Sequence, residues 1–155
     1  MVRSLTPELA MRDAGVYLRW LAERPEVADG PVAVTGYCFV ARLSLLTAGT
    51  YPDRVAAAAG FHGGQLATDE PDSPHLVTDR ITAELYFGHA DHDPSLPPEQ
   101  VQRLDDALTA AGVRHRCEVH PDAPHGFTQS DTASYQPEGD TRHWAALLDL
   151  LDRTF

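Results

Sequence analysis

Gly30-Pro31-Val32-Ala33-Val34-Thr35-Gly36-Tyr37-Cys38-Phe39-Val40-Ala41 is the stretch whose reading decides the fold. Residues 32–35 form a short continuous apolar run closed by turn residues, the pattern of a strand buried on both faces of a parallel sheet. A helix over about residues 40–50 follows, which makes Gly36-Tyr37-Cys38 a tight turn from strand to helix. Toward the N-terminus, Thr6-Pro7-Glu8 is a helix start with Thr6 as cap, Pro7 at the first helical position and Glu8 at the positive end of the dipole. That helix runs to about Arg24, and Leu9, Ala10, Ala14, Tyr17, Leu18 and Leu21 share its apolar stripe.

Toward the C-terminus, residues 55–59 read as a second buried strand, and residues 61–79, rich in glycine, proline, aspartate and serine, as a long surface loop. Residues 81–87 predict a third strand, ended by Gly88. Pro97-Pro98-Glu99 opens a helix whose inner face is Val101, Leu104, Leu108 and Ala111, and Gly112 stops it. Residues 114–120 alternate as an edge-proximal strand does. Asp140 or Thr141 caps a last helix through Leu151, with Trp144, Leu147, Leu148 and Leu151 expected to be buried. Strands alternating with helices predict an α/β fold over residues 1–155: one domain, a mostly parallel sheet and helices on both faces.

The composition of the 155 residues narrows the function. A 43% hydrophobic and 23% charged chain is neither disordered nor membrane-like, and no stretch approaches the length of a spanning helix. A net charge of -11 with no cluster of Lys and Arg argues against nucleic acid and membrane as partners, although Arg42 and Arg80 could act locally. Two cysteines make no disulfide framework and cannot complete a structural zinc site, so reduced thiols and a cytoplasmic setting are expected.

In a parallel sheet of this kind ligands bind beyond the carboxyl ends of the strands. Cys38 follows the first strand, Asp91 the third and His125 the fourth, giving a thiol, a carboxylate and an imidazole in the order nucleophile, orienting acid, general base. Imidazole must take the thiol proton, and a carboxylate on its far nitrogen holds the tautomer and stabilises the imidazolium. Asp93, two positions further in the same loop, is the alternative acid. Phe39, directly after the nucleophile, offers an oxyanion-hole amide. Tyr37, Phe61, His62, Gly63 and Phe127 border these positions as substrate-binding residues. The histidines and aspartates around residues 89–93 lack His-x-x-x-His or Cys-x-x-Cys spacing, so no metal and no cofactor is expected, and Cys117 is expected to be core.

Gly36-Tyr37-Cys38, Phe61-His62-Gly63-Gly64, Gly88-His89-Ala90-Asp91 and Pro124-His125-Gly126-Phe127 together resemble the dienelactone hydrolase family. The resemblance covers essentially the whole chain and implies an α/β-hydrolase fold. It also implies a hydrolase of small esters or lactones, of the carboxymethylenebutenolidase type, using a Cys-Asp-His triad through an acyl-thioester. It further implies that the chain matches the C-terminal two-thirds of the family fold, the rest of which would pair with the outer side of the strand at residues 32–35. That edge is therefore an expected pairing site, for a second copy, another chain or the chain's own N-terminal segment. A catalytically impaired remnant or subunit acting through the edge is the alternative function. Val40 stands where the family usually has glycine, and a β-branched residue there is expected to crowd the turn.

Overall fold

The computed structural model describes residues 5–155. Its elements alternate as α1 (Pro7–Ala22), β1 (Val32–Tyr37), α2 (Phe39–Thr50), β2 (Val55–Phe61), a 3₁₀ turn (Pro74–Arg80), β3 (Glu84–His92), α3 (Pro98–Ala110), β4 (His115–Pro124) and α4 (Pro137–Thr154). The four strands form one all-parallel sheet in the order β1-β2-β3-β4. Helices α1, α2 and α3 lie on one side of it, over a core that includes Leu45, Ala58, Leu85, Phe87, Leu104 and Leu108. Helix α4 covers the other side, over Ala57, Ala59, Phe61 and Tyr86.

Local chemistry explains the boundaries. The Thr6 hydroxyl accepts the Leu9 N–H at 3.3 Å, and prolines occupy the first turns of α1, α3 and α4, where a missing N–H costs nothing. Strand β2 is almost fully buried because it has neighbours on both sides and helices on both faces. β1 departs from the doubly buried strand that its apolar run predicts. It is the sheet edge, and Ala33 and Thr35 are exposed. Among the described residues no strand pairs with its outer side.

Three further expectations are corrected. On α1 the buried face is Ala10, Gly15 and Leu18, with Leu9 and Tyr17 outside. On α4 the buried positions are Gly139, His143, Leu147 and Leu150, while Trp144 and Leu148 are each about half exposed. Strand β3 does not stop at Gly88 but runs on to His92, because the Gly88 carbonyl accepts the His62 N–H at 2.8 Å and β4 accompanies it as far as Pro124.

Candidate active site

Cys38 lies between the end of β1 and the first turn of α2 with φ 54° and ψ -127°, a conformation that a non-glycine residue adopts only under constraint. Two features hold it there. The Cys38 N–H donates to the Phe61 carbonyl of β2 at 3.0 Å, and Gly36 lets β1 pass so close to α2 that a β-carbon would collide with the Val40 carbonyl. The Val40 side chain does not crowd the turn. It is 48% exposed, and Ala41, fully buried, is the residue that faces the sheet, with Gly63 so near that a β-carbon there would meet the Ala41 methyl at 2.7 Å. The small residue the packing demands therefore stands one place after Val40.

His125 reaches Cys38 from the turn after β4, its Nε2 lying 3.0 Å from Sγ. Its Nδ1–H donates to Asp93 Oδ2 at 2.6 Å, which leaves Nε2 free to accept the thiol proton. The other oxygen of Asp93 accepts two hydrogen bonds from Ser95, from its backbone N–H at 2.9 Å and its hydroxyl at 2.6 Å. Burial pushes the Asp93 carboxyl up, but the bonds from His125 and Ser95 outweigh it and hold the group below the usual carboxylate range. The Asp93 loop is itself pinned to the loop after β2, where the Gln65 N–H donates to the Ser95 carbonyl at 2.8 Å.

The expected acid, Asp91, is not part of this chain of contacts. It belongs to the last, exposed residues of β3, and its Oδ2 accepts the Asp122 N–H at 3.0 Å. The reason is the length of β3: with the strand running to His92, Asp91 is still inside it, and the loop that turns back over the sheet begins at Asp93. The residues brought together are thus Cys38, His125 and Asp93.

A cleft of about 450 Å³ opens over Sγ, lined by Cys38, Phe39, Arg42, Gly64, Gln65, Asp93, Pro94, Ser95 and His125. Phe39 is the first residue of α2, so its N–H has no acceptor within the helix and is available at the cleft. The Arg42 guanidinium donates to Gln65 Oε1 at 3.1 Å and lies 5.8 Å from the centre of the Phe39 ring.

Of Tyr37, Phe61, His62, Gly63 and Phe127 none lines the cleft, whereas Gly64, read with Gly63 as a pocket candidate, does. Tyr37 points to the α4 side, its ring stacked 5.5 Å from Phe61 and its hydroxyl 2.8 Å from His143 Nε2. Phe61 and Phe127 are fully buried, and Gly63 packs on α2. His62 lies behind the His125 ring, edge-on at 5.3 Å, with Nε2 2.9 Å from the Thr128 hydroxyl. Burial, followed by repulsion from His125, pushes its pKa down to about 4, so it stays uncharged and supports the imidazole in front of it. Sequence reasoning assigned no role to Gln65, Pro94 or Ser95; the Asp-x-Ser spacing of Asp93 and Ser95 is the one local signal of that turn.

The dienelactone hydrolase family model matches residues 1–155. A Synechocystis protein that carries the name carboxymethylenebutenolidase is 30% identical over 129 residues, which are 81% of this chain and 52% of the relative. A like-named protein of Escherichia coli K12 is 29% identical over 75% of this chain and 44% of its own length. The chain thus spans about half the length of these relatives. Among solved structures, a protein described as a dienelactone hydrolase from Klebsiella pneumoniae superposes with a TM-score of 0.87 at 24% identity, over 97% of this chain and 63% of its own. A dienelactone hydrolase-like promiscuous phosphotriesterase from metagenomic libraries superposes with a TM-score of 0.81 at 25% identity, over 96% and 62%.

Proposed function

Because the chain belongs to the dienelactone hydrolase family, we propose that it hydrolyses small esters or lactones with Cys38 as nucleophile, His125 as general base and Asp93 as the acid that orients it. The observation that carries the reading is the continuous line of contacts from Sγ through both imidazole nitrogens to a buried carboxylate.

His125 Nε2 takes the thiol proton, and the Cys38 thiolate attacks the substrate carbonyl carbon. The oxygen that becomes negative accepts the Phe39 N–H, at the positive end of α2. The tetrahedral adduct collapses to an acyl-thioester, and the departing alkoxide takes the proton from His125. Water, deprotonated by the same Nε2, then adds to the acyl carbon; the C–S bond breaks, the acid leaves, and His125 returns the proton to sulfur. The carboxylate of Asp93 stabilises the imidazolium in both halves. Arg42 gives the cleft a positive rim within a chain of net charge -11, which favours an acid group on the substrate.

Two free cysteines fit a reducing, cytoplasmic setting. Among the described residues no helix is long and apolar enough to cross a membrane. The unpaired side of β1 is the surface through which a second copy would add to the sheet. Rapid amide exchange at Ala33 and Thr35, whose N–H groups alternate to the side away from β2, in a monodisperse monomer would contradict that pairing.

The test is turnover of a small activated ester by the purified chain. Wild type is expected to exceed buffer and Cys38→Ala to abolish the difference; a wild type no faster than buffer removes the catalytic claim.

A further inference from the structure

A second thiol, imidazole and carboxylate meet at the opposite edge of the sheet, where the proposed chemistry does not use them. His115 and Cys117 are two apart on β4 and so share a face, and Asp105 reaches them from α3. The Asp105, His115 and Cys117 donor atoms all lie within 4.8 Å of one another. His115 Nδ1 donates to the Val113 carbonyl at 2.8 Å, while its Nε2 lies 3.1 Å from Asp105 Oδ1. Both ring nitrogens therefore face oxygen acceptors, yet a neutral imidazole has a single N–H to give. Only a second proton or a cation at Nε2 reconciles the contact. A ring held through Nδ1 by a backbone carbonyl, with Nε2 presented outward, is also how proteins set a histidine to bind metal.

We propose that Asp105 Oδ1, His115 Nε2 and Cys117 Sγ bind one divalent cation of the zinc class, with water in the fourth position. The donor set is the nitrogen, sulfur and oxygen mixture that zinc accepts. Tetrahedral coordination at about 2.0 to 2.3 Å places ligand atoms roughly 3.3 to 3.7 Å apart, so the Asp105–His115 pair at 3.1 Å opens slightly while the set, within 4.8 Å, closes around the ion. Thiolate, carboxylate and neutral imidazole cancel the charge of the ion, and an acidic chain attracts it. On binding, the thiol proton leaves to solvent as the S–metal bond forms. A further polar group waits on the same face: His89 of β3 follows Phe87, the register partner of Cys117. It is 1% exposed, and its Nε2 has no hydrogen-bond partner. The ion would tie α3 to β4 at the edge of the sheet.

Cobalt(II) titration of the whole, chelator-treated chain tests this. The expected result is one equivalent bound with visible tetrahedral bands and a near-ultraviolet thiolate-to-cobalt band. Cys117→Ser should lose the thiolate band, Cys38→Ser should keep it, and Asp105→Asn should weaken binding about tenfold or more. Zinc should raise the melting temperature of the wild type and not that of Asp105→Asn, a substitution at a partly exposed helix position that spares the fold if Cys117→Ser does not. Absence of binding, or a thiolate band that survives Cys117→Ser or disappears with Cys38→Ser, overturns the assignment.

Discussion

The protein contains two sets of the same three residue types, and the order of contact within each gives them different chemistry. At the end of β1 the imidazole is in the middle: Cys38 and Asp93 touch the two nitrogens of His125 and not each other. On the flank of β4 the carboxylate is in the middle: Asp105 contacts His115 and faces Cys117, while the second nitrogen of His115 is spent on the backbone. The first arrangement suits the proposed proton relay, since the thiol proton has an acceptor that is itself supported. The second leaves the Cys117 proton without an acceptor of suitable basicity. Burial and then the Asp105 charge push that thiol up to about 12, which keeps it inert in the absence of a metal. Residue type alone therefore does not make a nucleophile. In the proposed mechanism, position relative to the carboxyl ends of the strands and the order of hydrogen bonding do.

The two sets should differ most at their histidines. His125→Asn is expected to lower ester turnover by about 10³-fold or more, whereas His115→Asn should leave it within about twofold. Equal losses would erase the distinction between the sets. The acids give the next largest contrast. Asp93→Asn is expected to cost about 10² to 10⁴-fold in kcat, through the wrong His125 tautomer, and Asp91→Asn less than about threefold, measured on the same ester. A larger loss at Asp91 would return that residue to the site.

Acid sharpens the account through the supporting histidines. His62 behind the relay and His89 on the side of Cys117 are both held down to about 4, chiefly by burial. Their folded-state pKa lies below the unfolded value of about 6.5. Stability is thus fully present above about pH 6.5 and is lost as the pH falls toward 4, where the unfolded chain takes up protons the folded one refuses. A loss of a few kcal/mol across that window is expected in urea unfolding, and a flat profile would show that the two rings are not buried as described. The smallest effect is reserved for Val40. With its side chain in solvent, Val40→Gly should cost only about 0.5 kcal/mol of helix propensity and leave turnover nearly unchanged.

Much of this architecture is legible in the sequence, and the failures share physical causes. Proline and glycine punctuation, with the Thr6 cap, located every helix start within a few residues, the largest offset being at α4, where Pro137 precedes the expected cap at Asp140 or Thr141. The apolar run at residues 32–35 identified a strand and the resemblance its open outer side, but the run alone misread the burial of its faces, where Ala33 and Thr35 are exposed. Phase was lost on α4, where leucine, alanine and tryptophan surround the helix and the buried polar residue is His143. The positions of Cys38 and His125 directly after strand ends were readable in the sequence, and the structure adds that the two side chains meet. Asp91 was preferred to Asp93 because Gly88-His89-Ala90-Asp91 fits the family pattern, and the strand expected to end at Gly88 continues four residues further, which keeps Asp91 inside it. Side-chain direction explains the pocket residues: Tyr37 and Phe61 end their strands pointing toward α4, so the cleft falls to Phe39, Arg42 and the loops.

The central claim is that Cys38 alone is the activated thiol. Brief exposure to a slowly deacylating activated ester, acid quench and peptide mass mapping tests it directly. The account predicts one acyl group, on the peptide bearing Cys38, absent in His125→Asn. An acyl group on Cys117, or label on both cysteines regardless of His125, would contradict it.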